Sequence, residues 1–269
     1  MSPLPVGRLL MVGCGNMGGA MLRRWLACGL DPARVTVVSP SGRPMPEGVS
    51  VVREIPYDPD DDDPGYDIIL LALKPQQLAS LRNTHLAAHA PQILISILAG
   101  VEEDVLFGLT GAGTIVRAMP NLPVALGKGV VVLHASSGRN AAVDALMAPL
   151  GLLEWVDSGH YDLAGSLSGC GPAYTYRFID ALAAAGAALG LPADQAARLA
   201  LTTVEGAGLL AAASPEPPAT LADRVASPGG STREGLNVLD RDDALVRLLT
   251  DALAASERRS GEMAAAARQ

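Results

Sequence analysis

Through its first half the chain alternates short apolar runs with polar stretches punctuated by glycine and proline. It then changes to long runs rich in alanine and leucine. Apolar runs bounded by turn formers and too short for helices read as buried strands. Strands are expected at Arg8–Val12, Val35–Val38, Ser50–Val52, Tyr66–Leu73, Gln92–Leu98, Thr114–Ala118, Gly129–Leu133 and Leu153–Val156. Helices fall between them, over Asn16–Cys28, from Pro75, from Glu102 and over Asn140–Leu150. The Pro-, Ser- and Gly-rich stretch Ser39–Val49 reads as a loop. So does Asp58–Gly65 (DPDDDDPG), where like charges repel and two prolines break structure. Strands alternating with helices in this rhythm indicate a parallel sheet covered on both faces.

After Asp157 no strand pattern recurs. Pro172–Leu189 reads as one long helix, with Pro172 in its first turn and Gly190 as its stop. Further helices are expected over Pro192–Ala213, over Pro218–Val225, from Ser231, and over Asp243–Ala267. The expected fold is α/β: a Rossmann-type doubly wound parallel sheet in residues 1–158, followed by an all-α domain in residues 159–269. The run Ala181–Ala188 (ALAAAGAA) has no polar face and needs cover on every side. Either the first domain or a second copy of the chain supplies it, and the small size of the helical half favours a homodimer.

Charge and cysteine usage narrow the partners. A net charge of −8 with no polybasic patch argues against nucleic acid. No apolar run is expected to reach membrane-span length. The N-terminal apolar run ends in glycines and reads as a first strand, not a signal peptide. Cys14, Cys28 and Cys170 lack metal-ligand spacing and leave one thiol over in any disulfide scheme, which points to a reducing cytoplasm. His85 and His89 stand at i,i+4 on an expected helix but have no third ligand, so they are expected on a solvated face and no metal site is expected.

Several turns carry candidate chemistry. Gly13-Cys14-Gly15-Asn16-Met17-Gly18 fits G-x-G-x-x-G between a first strand and a first helix, the arrangement that brings a pyrophosphate to a helix start. The end of the second strand, Val38-Ser39-Pro40-Ser41-Gly42-Arg43, has no acid to hold ribose hydroxyls. Ser39, Ser41 and Arg43 are suited to a 2′-phosphate, so NADPH is preferred, with NADH the alternative. Lys74, closing the fourth strand, is either a cofactor neighbour or a surface lysine. In Arg117-Ala118-Met119-Pro120-Asn121-Leu122-Pro123 two prolines fix the backbone around an amide that can face a nicotinamide or a substrate. Ser168-Gly169-Cys170-Gly171-Pro172 reads as the glycine-rich start of the long helix, with Tyr174 on its first turn.

Ser227-Pro228-Gly229-Gly230-Ser231-Thr232-Arg233-Glu234 is a glycine turn feeding a helix. Ser231 and Glu234 have capping-box spacing, so the helix should start at Ser231. Helix-start amides beside Gly229 and Gly230, with hydroxyls from Ser227, Ser231 and Thr232, make a receptor for a small carboxylate.

The motifs GCGNMGGAM, ALKPQQ, ISILAG, RAMPNLP, SLSGCGPAY and SPGGSTREGL resemble, essentially end to end, those of pyrroline-5-carboxylate reductases, the last enzymes of proline biosynthesis. The resemblance implies a Rossmann domain followed by a helical domain that interlocks with a partner subunit, often within a decamer. It implies NAD(P)H-dependent reduction of the cyclic imine to L-proline. By the same resemblance Gly13, Asn16, Met17 and Gly18, with Gly15 in the same turn, hold the pyrophosphate. Ser39 and Arg43 lie near the adenosine ribose phosphate, and Ala72, Lys74 and Pro75 line the cofactor. Met119, Pro120 and Asn121 face nicotinamide and substrate. Ser227, Gly229, Gly230, Ser231 and Thr232 bind the substrate carboxylate, with Ser231 and Thr232 as the catalytic hydroxyls and Thr232 near the ring nitrogen. Leu122 departs from the family's usual Thr, Cys170 from its Ser and Ser231 from its Thr. Two other readings stay open. One is a related imine or keto-acid reductase, although carbonyl reduction wants a positioned acid and no lysine follows Lys128. The other is an NADP-binding regulatory homologue with weakened catalysis.

Overall fold

The computed structural model describes residue 4 and residues 7–56 and 65–267. Of the acidic stretch expected as a loop, residues 58–64 lie outside the described residues. Eight strands form one sheet: β1 Leu9–Val12, β2 Val35–Val38, β3 Ser50–Val52, β4 Ile68–Leu71, β5 Ile93–Ser96, β6 Thr114–Pro120, β7 Gly129–His134 and β8 Gly151–Trp155. Their order is β3-β2-β1-β4-β5-β6-β7-β8. The first six are parallel neighbours in Rossmann order, with β1 at the centre pairing Leu9 with Val35 on one side and Ile68 on the other.

Side chains alternate across a strand, and that alternation builds two cores. Leu9, Met11, Val37, Leu70 and Ile95 pack on one face, around Trp25. Leu10, Val12, Ile69, Leu71 and Leu94 pack on the other, with Leu86 and Leu106. A central strand buried on both faces must be apolar throughout, which is why β1 and β4 read as unbroken apolar runs.

The sheet departs from expectation at its far edge. β7 runs antiparallel to β6, pairing Arg117 with His134, and β8 runs parallel to β7. The sheet is therefore mixed rather than wholly parallel. The cause lies in chain length. Residues 121–128 between β6 and β7 hold only a 3-10 turn, Leu122–Leu126, and a parallel crossover needs about a dozen residues or more.

The α-helices are α1 Asn16–Ala27, α2 Glu103–Thr110, α3 Ala141–Met147, α4 Ser158–Ala188, α5 Ala193–Ala213, α6 Pro218–Arg224, α7 Ser231–Asp240 and α8 Ala244–Ala267. The helix expected from Pro75 is a 3-10 segment, Pro75–Asn83, followed by a second, His85–His89. His85 and His89 therefore do not share a helical face, and His89 is only partly exposed. Its ring nitrogen bonds the Pro56 carbonyl at 2.7 Å and the ring meets Tyr66 edge-on. No metal-competent cluster of His, Cys, Asp or Glu occurs among the described residues.

The long helix begins earlier than expected. α4 starts at Ser158, so Pro172 and Tyr174 lie in its interior and not in a first turn. The glycines and proline of SGCGP thus punctuate a continuous helix.

The chain forms two compact units. One comprises the sheet, its helices and the start of α4 to Cys170, joined by a C-terminal stretch from Ser256; the other is Gly171–Ala255. The second unit is all-helical and exposes Tyr176, Phe178, Leu182, Leu209, Leu210 and Leu248. Ala181–Ala188 is not buried anywhere along its length in the single chain. α5 is long and apolar enough, by length and composition, to cross a membrane, contrary to expectation.

Candidate functional site

The first unit carries a cavity of about 1040 Å³ along the carboxyl ends of its parallel strands. Ligands of open α/β sheets bind in that crevice. Gly13, Cys14, Gly15, Asn16, Met17 and Gly18 line its middle. Gly13 takes φ +86°, donates its N–H to the Val38 carbonyl at 3.1 Å, and a Cβ there would stand 2.9 Å from the Ala72 carbonyl oxygen. Only glycine fits. Gly15 is the N-cap of α1 and has nothing within 4 Å of a built Cβ, so the helix start opens onto free space. First-turn amides have no partner inside their own helix, and here no side chain caps them. A glycine cradle beneath an uncapped helix start fits a pyrophosphate. Burial pushes the neighbouring Cys14 thiol above its usual range, against the opposing charges of Arg23 and Arg43.

One end of the cavity lies at β2 and β3. There Val38 and Pro40 line it together with Arg53, Glu54 and Ile55. Ser39 and Arg43, expected at this end, are not among the lining residues. The Ser39 side chain is buried and its Oγ lies 3.4 Å from Ser41 Oγ. Arg53 comes instead, with Nη2 3.6 Å from the position of a Cβ on Gly42 in the same turn. It follows an exposed edge strand, and the one signal for it was an arginine immediately after the third strand.

At the centre, Ala72, Leu73 and Lys74 line the cavity, while Pro75 turns away into the 3-10 segment. That segment and the turn after it add Gln77, the last residue of ALKPQQ, with Ser80, Thr84 and His85, none of which was expected at a cofactor site. At the other end are Ile97, Met119 and Pro120.

Asn121 does not line the cavity. It is 7% exposed, and both ends of its amide are engaged. Nδ2 donates to the Ser168 carbonyl at 2.9 Å, and Oδ1 accepts from the Val130 amide at 2.8 Å. Arg117 is also buried. It pairs with Asp162 at 3.3 Å and lies 4.1 Å over the Tyr161 ring. Burial raises the Tyr161 phenol well above its ordinary range, so it stays protonated. Leu122 and Cys170 are absent from the lining as well.

The second unit holds the Ser227–Glu234 turn. α7 does start at Ser231, but its N-cap is Gly230 and no side chain caps it. The capping box does not form because Ser231 is already the first helical residue. Gly229 takes φ +69° and the Gly230 amide closes the turn on the Ser227 carbonyl at 2.9 Å. Ser227, Gly229, Ser231 and Thr232 are exposed. Arg233 braces the turn from behind, its Nη2 donating to Asp223 Oδ1 at 2.7 Å. The first-turn amides of α7 are thus left without a side-chain acceptor, beside two small hydroxyl residues.

A dinucleotide cradle in one unit and a carboxylate-sized turn in the other narrow the field, and comparison with known proteins decides the family. Residues 8–100 match the family described as NADP oxidoreductase, coenzyme F420-dependent, and residues 159–263 match pyrroline-5-carboxylate reductase dimerisation. Pyrroline-5-carboxylate reductase 3 of Danio rerio is 32% identical over 258 residues, 92% of this chain and 88% of that protein. This chain belongs to the pyrroline-5-carboxylate reductase family. The solved pyrroline-5-carboxylate reductase of Coxiella burnetii superposes with a TM-score of 0.82 at 29% identity, covering 96% of this chain and 98% of that one. The Plasmodium falciparum pyrroline carboxylate reductase, solved with NADP bound, gives 0.79 at 26% identity, covering 98% and 100%. Family membership makes the chain an oxidoreductase with a small-molecule substrate, and its helical residues 159–263 carry the family's dimerisation region.

Proposed function

We propose that this chain reduces 1-pyrroline-5-carboxylate to L-proline with NADPH. The observation that carries the reading is the uncapped start of α1 over the Gly13–Gly18 cradle, in a chain whose α7 begins with a second glycine turn. The bound reduced dinucleotide supplies a hydride to the C=N carbon. Gly13, Gly15, Asn16, Met17 and Gly18 hold its pyrophosphate, and Ala72, Lys74 and Met119 flank it. Arg53 takes the 2′-phosphate role first expected of Ser39 and Arg43. At the opposite end, beside Met119, Asn121 acts indirectly, since its amide is already engaged.

The amides and hydroxyls of Ser227, Gly229, Gly230, Ser231 and Thr232 grip the substrate carboxylate. The Thr232 hydroxyl orients the imine nitrogen, which arrives protonated near neutral pH, so no strong general acid is required. The chain divides by task, with the cofactor domain in residues 1–158 and the substrate and dimerisation domain in residues 159–269. A family match beginning at residue 159 supports that division. The apolar side chains that the helical unit exposes are covered by a second copy, as a homodimer and in higher assembly a decamer, so α5 faces protein and not lipid. Three free cysteines fit a cytoplasmic enzyme.

The test is spectrophotometric. NADPH oxidation should depend on pyrroline-5-carboxylate, and keto acids should not replace it. Thr232→Ala should lower kcat by about 10-fold or more while leaving NADPH affinity within about twofold, the pattern of a group that acts on the reacting atoms. Unchanged kinetics in that variant remove Thr232 from the mechanism. NADPH binding without imine-dependent oxidation would favour the regulatory reading.

A further inference from the structure

Strand β6 presents alternate residues to one face, and two of them, Arg117 and Met119, together with Asn121 just past its end, meet helix α4 at successive turns. Arg117 pairs with Asp162 at 3.3 Å and stacks on Tyr161. A Cβ on Gly165 would stand 3.4 Å from Met119 Cγ, and one on Gly169 would stand 3.9 Å from it. Asn121 donates to the Ser168 carbonyl at 2.9 Å. That carbonyl is open for a reason written in the sequence. Its helical partner would be the amide of residue 172, which is proline and has no N–H. Asn121 fills the gap that Pro172 leaves, and accepts from Val130 on the neighbouring strand with its other end. The helix is thus tied to β6 on both sides of Met119, and at Met119 itself only glycine hydrogens separate the two.

Met119 lines the end of the cavity opposite Arg53. A Rossmann crevice holds the adenosine at the end of β2, so the opposite end receives the nicotinamide. Methionine is flexible and makes a poor fixed wall unless its surroundings hold it. We propose that Arg117, Asn121 and Gly165 are positioning residues: the seam they form between β6 and α4 fixes Met119, and through it the seat of the nicotinamide ring. The inference rests on the reading of the cavity as the dinucleotide site.

The experiment uses the full-length protein and Gly165→Ala. Alanine favours helix over glycine, so thermal stability should hold or rise. The added methyl meets Met119 Cγ at 3.4 Å, and α4 cannot retreat because it is tied at Asp162 and Ser168. At 3.4 Å the methyl sits at the tight edge of ordinary van der Waals contact, so a small shift of Met119 relieves it. A misplacement of about 1 Å costs about 100-fold, so kcat should fall about three- to tenfold with Tm undiminished. Gly169→Ala, at ordinary contact distance, should stay close to wild type. In a Met119→Ala background Gly165→Ala should cost nothing further, because the atom it presses is gone. Wild-type kinetics in Gly165→Ala, or the same loss carried into the Met119→Ala background, overturns the seam alone. A wild-type protein that binds no NADPH overturns the cavity reading and this inference with it.

Discussion

Replacing Arg53 with alanine should separate two cofactors that differ by one phosphate. Arg53 follows β3, lines the cavity, and stands beside the turn that carries the Ser39–Ser41 hydroxyl pair. Among the described residues it forms no ion pair with a carboxylate. Its side chain is exposed, so water screens it. At about 4 Å in a water-like dielectric a unit pair gains about 1 kcal/mol, and a phosphate near −2 about twice that. Discounted for salt and side-chain ordering, about 1 kcal/mol remains, or about 5-fold in affinity. The assay is kcat/KM for NADPH and NADH at low and high salt. In Arg53→Ala the NADPH value should drop by that factor, the NADH value should stay within about twofold, and added salt should narrow the difference. Arg43→Ala, which removes a side chain that does not line the cavity, should lose less NADPH preference than Arg53→Ala. Equal losses with both cofactors, or a loss of NADPH preference in Arg43→Ala that matches or exceeds that in Arg53→Ala, would refute the assignment.

Gly13→Ala should damage the fold as well as the cofactor site. Residue 13 sits at φ +86°, and its Cβ would press on the backbone of Ala72 and Leu73, which cannot yield without parting β1 from β4. Dihedral strain and overpacking together cost about 2–5 kcal/mol, which a thermal melt reads as about 5–15 °C; a melt within about 2 °C of wild type contradicts this. His89 should make stability fall in mild acid. Burial holds its pKa below the ordinary 6.5, with Arg8 and His85 pushing the same way and the Pro56 hydrogen bond opposing. The folded value lies below the unfolded one, so its contribution is complete above about pH 6.5 and drains away as pH falls and the unfolded chain takes up the proton first. Melts from about pH 7.5 to about pH 5 should show a shallower loss in His89→Gln than in wild type, and equal slopes would exclude His89 as the cause.

Much of this was legible because local chemistry and global fold agree. β2 and β3 run over Val35–Val38 and Ser50–Val52, as their β-branched runs bounded by turn formers indicate. Gly13 carried its signal because a strand-to-helix turn with a backbone carbonyl in contact leaves no alternative residue. The reversal at β7 was written in the shortness of residues 121–128, but alternation of apolar runs carries no direction, so pattern alone missed it. Pro172 misled for a deeper reason. Proline normally marks a helix start, and only the side chain of Asn121, distant in sequence, makes it tolerable inside α4. The same distance hid Asn121's role: an amide between two prolines looks available until its two backbone partners are in view. Arg53 and the 3-10 residue Ser80 reach the cavity through tertiary placement, which no local spacing encodes.

The most direct test of the central claim follows the hydride itself. Enzyme supplied with NADPH deuterated at the transferable C4 position and with pyrroline-5-carboxylate should yield proline carrying the deuterium at ring carbon 5, read by mass spectrometry and NMR. Proline formed without the label, or oxidation of NADPH that leaves the imine unreduced, would contradict the account.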